Sequence, residues 1–182
     1  QPQDVAFLAD GSLLVADGLV NARIVKFDRT ETFVSQWGSK GAGLDQLDRI
    51  HGIDADKSGR VYVADRGNRR IQVFDQAGKH LDTWPGLRFP NHIVVAPDGN
   101  VWVADGSNAR ILKYDRNGRM QYYWGAYGTY PGASQQLRQF SVDHAGNLYT
   151  ADAFVGRVQK FAPRRGANAA HLIPAAARLP RR

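Results

Sequence analysis

The chain writes one phrase four times: residues 13–27 read LLVADGLVNARIVKF, 61–74 VYVADRGNRRIQVF, 101–114 VWVADGSNARILKY and 148–161 LYTADAFVGRVQKF. Self-similarity at a period of a few tens of residues points to solenoids, propellers or arrays, because one supersecondary unit buries its apolar face only against a copy of itself. Aligned on the Ala-Asp pair, the copies put Asp17, Asp65, Asp105 and Asp152 in one column, 40 to 48 residues apart. Six residues earlier stands a Gly: Gly11, Gly59, Gly99 and Gly146, each in a turn (ADG, KSG, PDG, HAG) that calls for positive φ. Five or six residues later come Arg23-Ile24, Arg70-Ile71, Arg110-Ile111 and Arg157-Val158. Asn21, Asn68 and Asn108 fill the intervening turn as residues that tolerate left-handed backbone, and Gly156 replaces them in the last copy.

Each unit contains four short runs of alternating or β-rich character. In the second copy they are GIDAD, VYVAD, RIQVF and KHLDTW. Their lengths and turn spacing predict an all-β fold of four-stranded antiparallel meanders. Large rings recur in register, with Phe27, Phe74, Tyr114 and Phe161 on the third strand. Ten residues further on stand Trp37, Trp84 and Trp124, with His171 in the same place of the last copy. Rings at fixed positions suit sheets stacked face to face. The units run over 1–47, 48–87, 88–137 and 138–163, and 164–182 is expected to hold a last outer strand, AAHLI, and a basic tail.

The 182 residues are 43% hydrophobic and 23% charged, an ordinary globular composition for a chain able to bury a sizeable core. No run of about 18 apolar residues exists, so no membrane span is expected. The opening QPQDVAFLADG has neither a basic nor an apolar leader region, so any signal peptide is expected to have been removed or never present. With no cysteine, disulfides and thiolate metal sites are excluded, and the compartment stays open. Net charge is +7, from 24 Lys and Arg against 17 Asp and Glu, much of it late in the chain. That balance suits acidic partners, or is simply a solvated basic surface, since the cations are scattered.

The shared phrase, G-x-[VL]-[YWL]-V-A-D-x-x-N-x-R-I-x-x-[FY], resembles the NHL repeat, a β-propeller blade, over residues 3–163. More narrowly, QPQDVAFLADGSLLVADGLVNARIVKFD followed by HGIDADKSGRVYVADRGNRRIQVFD is similar to bacterial relatives of the peptidyl-α-hydroxyglycine α-amidating lyase. That resemblance implies a six-bladed propeller of which four blades are present. It leads to an expectation of lost N-terminal sequence, of a protein partner, or of oligomerisation covering exposed blade faces.

In a propeller the first strand of each blade lines the central channel. Eight residues before each turn Gly lie Gln3, His51, Asn91 and Arg138, with Asp4, His92 and Gln139 beside them. This polar column is the candidate ligand-binding rim; the bland alternative is a wet channel mouth with no ligand. The lyase resemblance implies zinc, or calcium, held by His residues at this column, with a Tyr and an Arg in adjacent turns assisting. Carried over, His51 matches a metal ligand and Arg66 the catalytic Arg. The Tyr position is Leu19, which moves no proton, and the third ligand position is Arg138, a permanent cation that donates no lone pair. His80 and His144, next to turns, are expected to face solvent, and His171 to serve packing. The four repeat Arg residues are expected to pair with their Asp or with turn carbonyls.

Three functions follow. The first is a non-catalytic binding or scaffold module that needs no cofactor and presents its rim and the long loops WGSKGAGLDQL and WGAYGTYPGASQQL to a protein, peptide or small molecule. The second is a zinc-dependent amidating-lyase-like enzyme. The third is an RNA-binding propeller, against which stands the lack of a clustered Lys and Arg stripe. The resemblance places the protein outside the cytoplasm, periplasmic or secreted.

Overall fold

A computed structural model describes residues 1–175. It is all-β: its only helices are two short 3-10 turns among the described residues. Blade one is a four-stranded antiparallel meander of β1 (Pro2–Phe7), β2 (Leu13–Asp17), β3 (Arg23–Phe27) and β4 (Phe33–Trp37). A two-stranded parallel ladder follows, β5 (Ser39–Lys40) with β6 (Gln46–Leu47). Blade two is β7 (Ile53–Ala55), β8 (Val61–Asp65), β9 (Arg70–Phe74) and β10 (His80–Trp84). Blade three is β11 (Pro90–Val95), β12 (Val101–Asp105), β13 (Arg110–Tyr114) and β14 (Met120–Trp124). Blade four has three strands, β15 (Leu137–Val142), β16 (Leu148–Asp152) and β17 (Arg157–Phe161).

The expected fourth strand of blade four, AAHLI, is not a strand. Ala169–His171 form a 3-10 turn instead, started by Asn168, whose side chain accepts from the Ala170 N–H. Pro163 and Pro174 bracket the segment, and Arg165-Gly166 turn between them, so little extended backbone remains to pair with β17. The basic terminal RLPRR lies outside the described residues.

The chain divides into two compact units, Gln1–Val94 and Val95–Arg182. In the first, blades one and two bury one another. Ala6, Leu14, Ala16 and Ile24 of one sheet meet Ile53, Val61, Val63 and Phe74 of the next, with Trp37 laid against Phe74 at 6.5 Å between ring centroids. In the second, Trp124 meets Phe161 edge-on at 5.3 Å, so the same repeat pair recurs.

The turns rest on aspartate. In the a–b and c–d hairpins an Asp carboxylate accepts the backbone N–H two residues on: Asp56 from Ser58, Asp75 from Ala77, Asp115 from Asn117 and Asp143 from Ala145. The b–c turns differ from expectation by one residue. Left-handed backbone falls on Ala22, Arg69 and Ala109, at φ of 50°, 59° and 51°, and on Gly156 at 66°. Asn21, Asn68 and Asn108 instead donate side-chain amides to the repeat Asp, at 2.8, 2.8 and 2.6 Å.

Candidate functional site

The repeat Asp and Arg are scaffold. Arg23 Nε meets Asp17 Oδ2 at 2.9 Å, Arg70 Nε meets Asp65 Oδ2 at 2.8 Å, and Arg110 Nη2 meets Asp105 Oδ2 at 3.1 Å. Arg157 reaches loop carbonyls instead, Thr129 O at 2.6 Å and Tyr130 O at 3.1 Å. Two residues after Arg70 and Arg157 stand Gln72 and Gln159, which the sequence reading passed over. Arg70 and Gln72 both donate to Gln46 O, at 2.9 and 2.6 Å. Arg157 and Gln159 likewise share Ala133 O. An Arg-x-Gln pair thus clamps each of the two long W-G-x-x-G loops, and blades one and three carry Val25 and Leu112 at the Gln position.

The rim residues of the first unit gather at one end. Pro2 pairs with Asp17 and Asp4 with Ala16, so β1 begins beside its b–c turn. The His51 N–H donates to Ala64 O at 3.0 Å, which puts His51 beside the Asp65-Arg66 turn. His51 and Asn91 are buried, 7% and 1% exposed, while Gln3, Asp4 and His92 are half-buried. The strands come close because residue 52 is glycine. A Cβ there would stand 2.9 Å from Asn91 O and 3.0 Å from His92 Cα, tighter than side-chain contacts allow. Nothing in the spacing of the repeat had pointed to Gly52.

The Asp4 carboxylate accepts from the Ile53 N–H at 3.1 Å and the Val5 N–H at 3.0 Å, tying blade one to blade two. Burial raises Asp4 above the ordinary carboxylate range, against the Ile53 N–H, the charge of His92 and the Val5 N–H. Burial likewise lowers His92 below the ordinary imidazole range, and the Asp4 charge pulls it back. Each therefore makes the other's charged form easier to hold. Next to this group the Arg66 guanidinium lies over the Phe89 ring, 4.8 Å from its centroid. Phe89, like Gln72, Gln159 and Gly52, was not marked by the repeat spacing.

Leu19 is exposed in its turn. In the second unit Arg138 is half-buried and Gln139 exposed at the start of β15. Among the described residues no three His, Asp or Glu side chains gather closely enough to hold a metal ion. Of the ligand positions that the resemblance implies, His51 offers a ring nitrogen, whereas Arg138, in the second unit, offers a guanidinium, whose chemistry does not fit zinc. Of the other histidines, His144 is exposed, whereas His80 is half-buried, edge-on to Phe74 at 5.8 Å and 2.8 Å from Thr83 Oγ1. His171 stacks flat on Tyr122 at 4.2 Å.

Four-stranded meanders packed face to face, with polar first-strand starts at one end, are the construction of a β-propeller repeat protein. Residues 47–74 and 87–114 match the model of the NHL repeat. Human NHL repeat-containing protein 3 is 40% identical over 81 residues, 43% of this chain and 21% of that protein. Peptidylglycine alpha-amidating monooxygenase of Rattus norvegicus is 39% identical over 80 residues, 41% of this chain and 8% of that protein. The match thus spans 21% or less of the length of these curated relatives. In three dimensions it superposes on hydrazine synthase of Kuenenia stuttgartiensis with a TM-score of 0.68 at 15% identity, covering 88% of this chain and 46% of that one, a likeness of fold. No helix among the described residues is long and apolar enough to cross a membrane.

Proposed function

We propose that the chain is a non-catalytic NHL-propeller binding module, acting outside the cytoplasm, whose docking rim in the first unit is Gln3, Asp4, His51, Asn91 and His92. Arg66 over Phe89 extends that rim with a cation held flat on a ring. The observation that carries the reading is the burial of Asp4 and His92 together. Asp4 ties the two blades through the Ile53 N–H, and a half-buried carboxylate with an imidazole whose charged form it favours is a pairing typical of binding sites. A peptide or small polar ligand that donates to Asp4 and stacks on Phe89 suits the rim.

The test is a selection of acetylated hexapeptides displayed on phage, followed by calorimetry of the selected sequences on the purified chain. Binding is expected to fall about tenfold in Asp4→Asn and in His51→Ala, a loss of about 1.4 kcal/mol. Peptides that bind both variants as tightly as the native chain would remove the rim from the reading.

The lyase reading draws on the match to the amidating monooxygenase and on His51 and Arg66 lying at one end of the unit. Its metal finds too few ligands here, and Leu19 replaces its Tyr, so no catalytic step is assigned. Equilibrium dialysis against zinc decides between the two. A stoichiometric ion lost in His51→Ala restores the enzyme, and no retained zinc leaves the binding module.

A further inference from the structure

Among the described residues blade four lacks the strand that each of the other blades has. β17 pairs with β16 along one side, and among the described residues no strand lies along the other. Beside that open edge is a cavity of about 720 Å³, walled by Tyr122, Trp124, Leu148, Phe161, Pro163 and Ile173. The cavity stays open with residues 164–175 in place. That segment is pinned aside by the His171–Tyr122 stack and by Lys113, whose Nζ donates to Ala170 O at 2.9 Å.

The three complete blades say what a fourth strand does. Its first residue stands opposite the last aromatic of the third strand: Phe33 opposite Phe27, His80 opposite Phe74, Met120 opposite Tyr114. Its fifth residue is Trp, opposite the β-branched residue: Trp37 opposite Ile24, Trp84 opposite Ile71, Trp124 opposite Ile111. In blade four these partners are Phe161, which lines the cavity, and Val158, which is 70% exposed. Just past Phe161 come Arg164 and Arg165, both exposed and both lining the cavity.

We propose that the open edge of β17 takes an extended peptide as the fourth strand of blade four. An apolar residue opposite Phe161 fills the cavity, an aromatic four residues later covers Val158, and acidic residues just before the apolar one meet Arg164 and Arg165. Main-chain hydrogen bonds to the β17 edge give affinity, and the cavity and the two guanidinium groups give register. The antiparallel direction is that of β4, β10 and β14, so the acidic end lies over the arginines. This site belongs to the second unit, and its proposal stands or falls separately from that of the first unit's rim residues.

The probe is a fluorescein-labelled peptide, Glu-Glu-Phe-Val-Ser-Gln-Trp, which places the residues of β4 behind two acids. Titrated with the full chain and followed by anisotropy, it is expected to bind about tenfold more tightly than three controls. These are the peptide with Phe replaced by Ala, the peptide with alternate backbone nitrogens methylated, and the peptide with Lys-Lys for Glu-Glu. The double variant Arg164→Glu, Arg165→Glu, altered only at exposed positions, is expected to reverse the preference between the Glu-Glu and Lys-Lys peptides. Equal binding of the methylated peptide would show a side-chain pocket and no added strand, overturning the proposal. So would an unchanged preference in the double variant, or protection from hydrogen exchange, in the chain alone, of those β17 amides that face away from β16, which would mean that its own residues or a second copy fill the edge.

Discussion

Glu31 occupies a turn position that in blades two to four belongs to glycine. The Asp56, Asp75, Asp115 and Asp143 turns carry Gly59, Gly78, Gly118 and Gly146 at the fourth residue, with φ between 77° and 90°. In the Asp28 turn the same place is Glu31 at φ 64°, held by its N–H on Asp28 O at 2.9 Å. Left-handed backbone costs a residue with a Cβ about 1–2 kcal/mol, and glycine returns part of the gain as entropy in the unfolded chain. Glu31→Gly is therefore expected to raise stability by about 0.5–1 kcal/mol, read as a higher urea midpoint at unchanged slope. A lower midpoint would mean that the exposed Glu31 side chain contributes something the structure does not display. His92 sets a pH dependence. Its imidazole titrates below the ordinary value of 6.5 in the folded chain, first through burial and against the pull of Asp4. The unfolded chain then takes up the proton first, so stability falls as pH drops through 6.5 towards the folded value. Asp4, raised above 3.8 chiefly by burial, acts oppositely: its contribution is full below 3.8 and fades as pH rises through its folded value. Thermal melts from pH 8 to 5 are expected to lose stability, and His92→Gln to flatten that loss; an unchanged slope in the variant would assign it elsewhere.

At the scale of the element, Asp65 shows why the four copies read alike. It is wholly buried and accepts from the Asp48 N–H at 2.8 Å, Asn68 Nδ2 at 2.8 Å, Arg70 Nε at 2.8 Å and Gln72 Nε2 at 3.1 Å. One carboxylate thereby joins strand, turn and inter-blade loop. Asp65→Asn turns an acceptor into a donor among donors and is expected to cost about 3 kcal/mol or more. Arg23→Ala, in a pair whose Arg side chain is 38% exposed, is expected to cost about 1 kcal/mol or less. Equal losses in chemical denaturation would contradict the burial argument. The Ala-Asp column, the paired Arg and the strand order were legible because they repeat, and repetition marks what every blade needs. The one-residue displacement of the left-handed position was not, because Asn at 21, 68 and 108 suits a turn either by its backbone or by its amide, and only geometry separates the two. AAHLI reads as a strand because His171 falls at the repeat spacing of the Trp residues, yet the flanking prolines and Asn168 decide local backbone before packing does. The rim was half legible. Its polar column could be counted back from the turns, whereas Gly52 and Phe89 act through close approach between strands far apart in sequence.

For the molecule as a whole, the consequence of blade stacking is that damage stays local. Each blade buries its face against a neighbour, so stability is nearly a sum of blade and interface contributions. Trp37 is the ring that β4 lays on Phe74, and its removal leaves the buried cluster of Leu14, Ile24, Val61 and Phe74 without a lid. Trp37→Ala is expected to cost about 3–5 kcal/mol at that interface. In native-state hydrogen exchange the lost protection should appear in β1–β4 and β7–β10, which share the interface, while the amides of β16 and their partners in β15 and β17 keep theirs. That pattern follows from packing between adjacent sheets alone. Loss spread evenly over all the strands of the described residues would instead mean one cooperative unit, in which the blades lend stability to one another well beyond their contacts. Filling the open edge of β17 would then raise protection in β1–β4 as well.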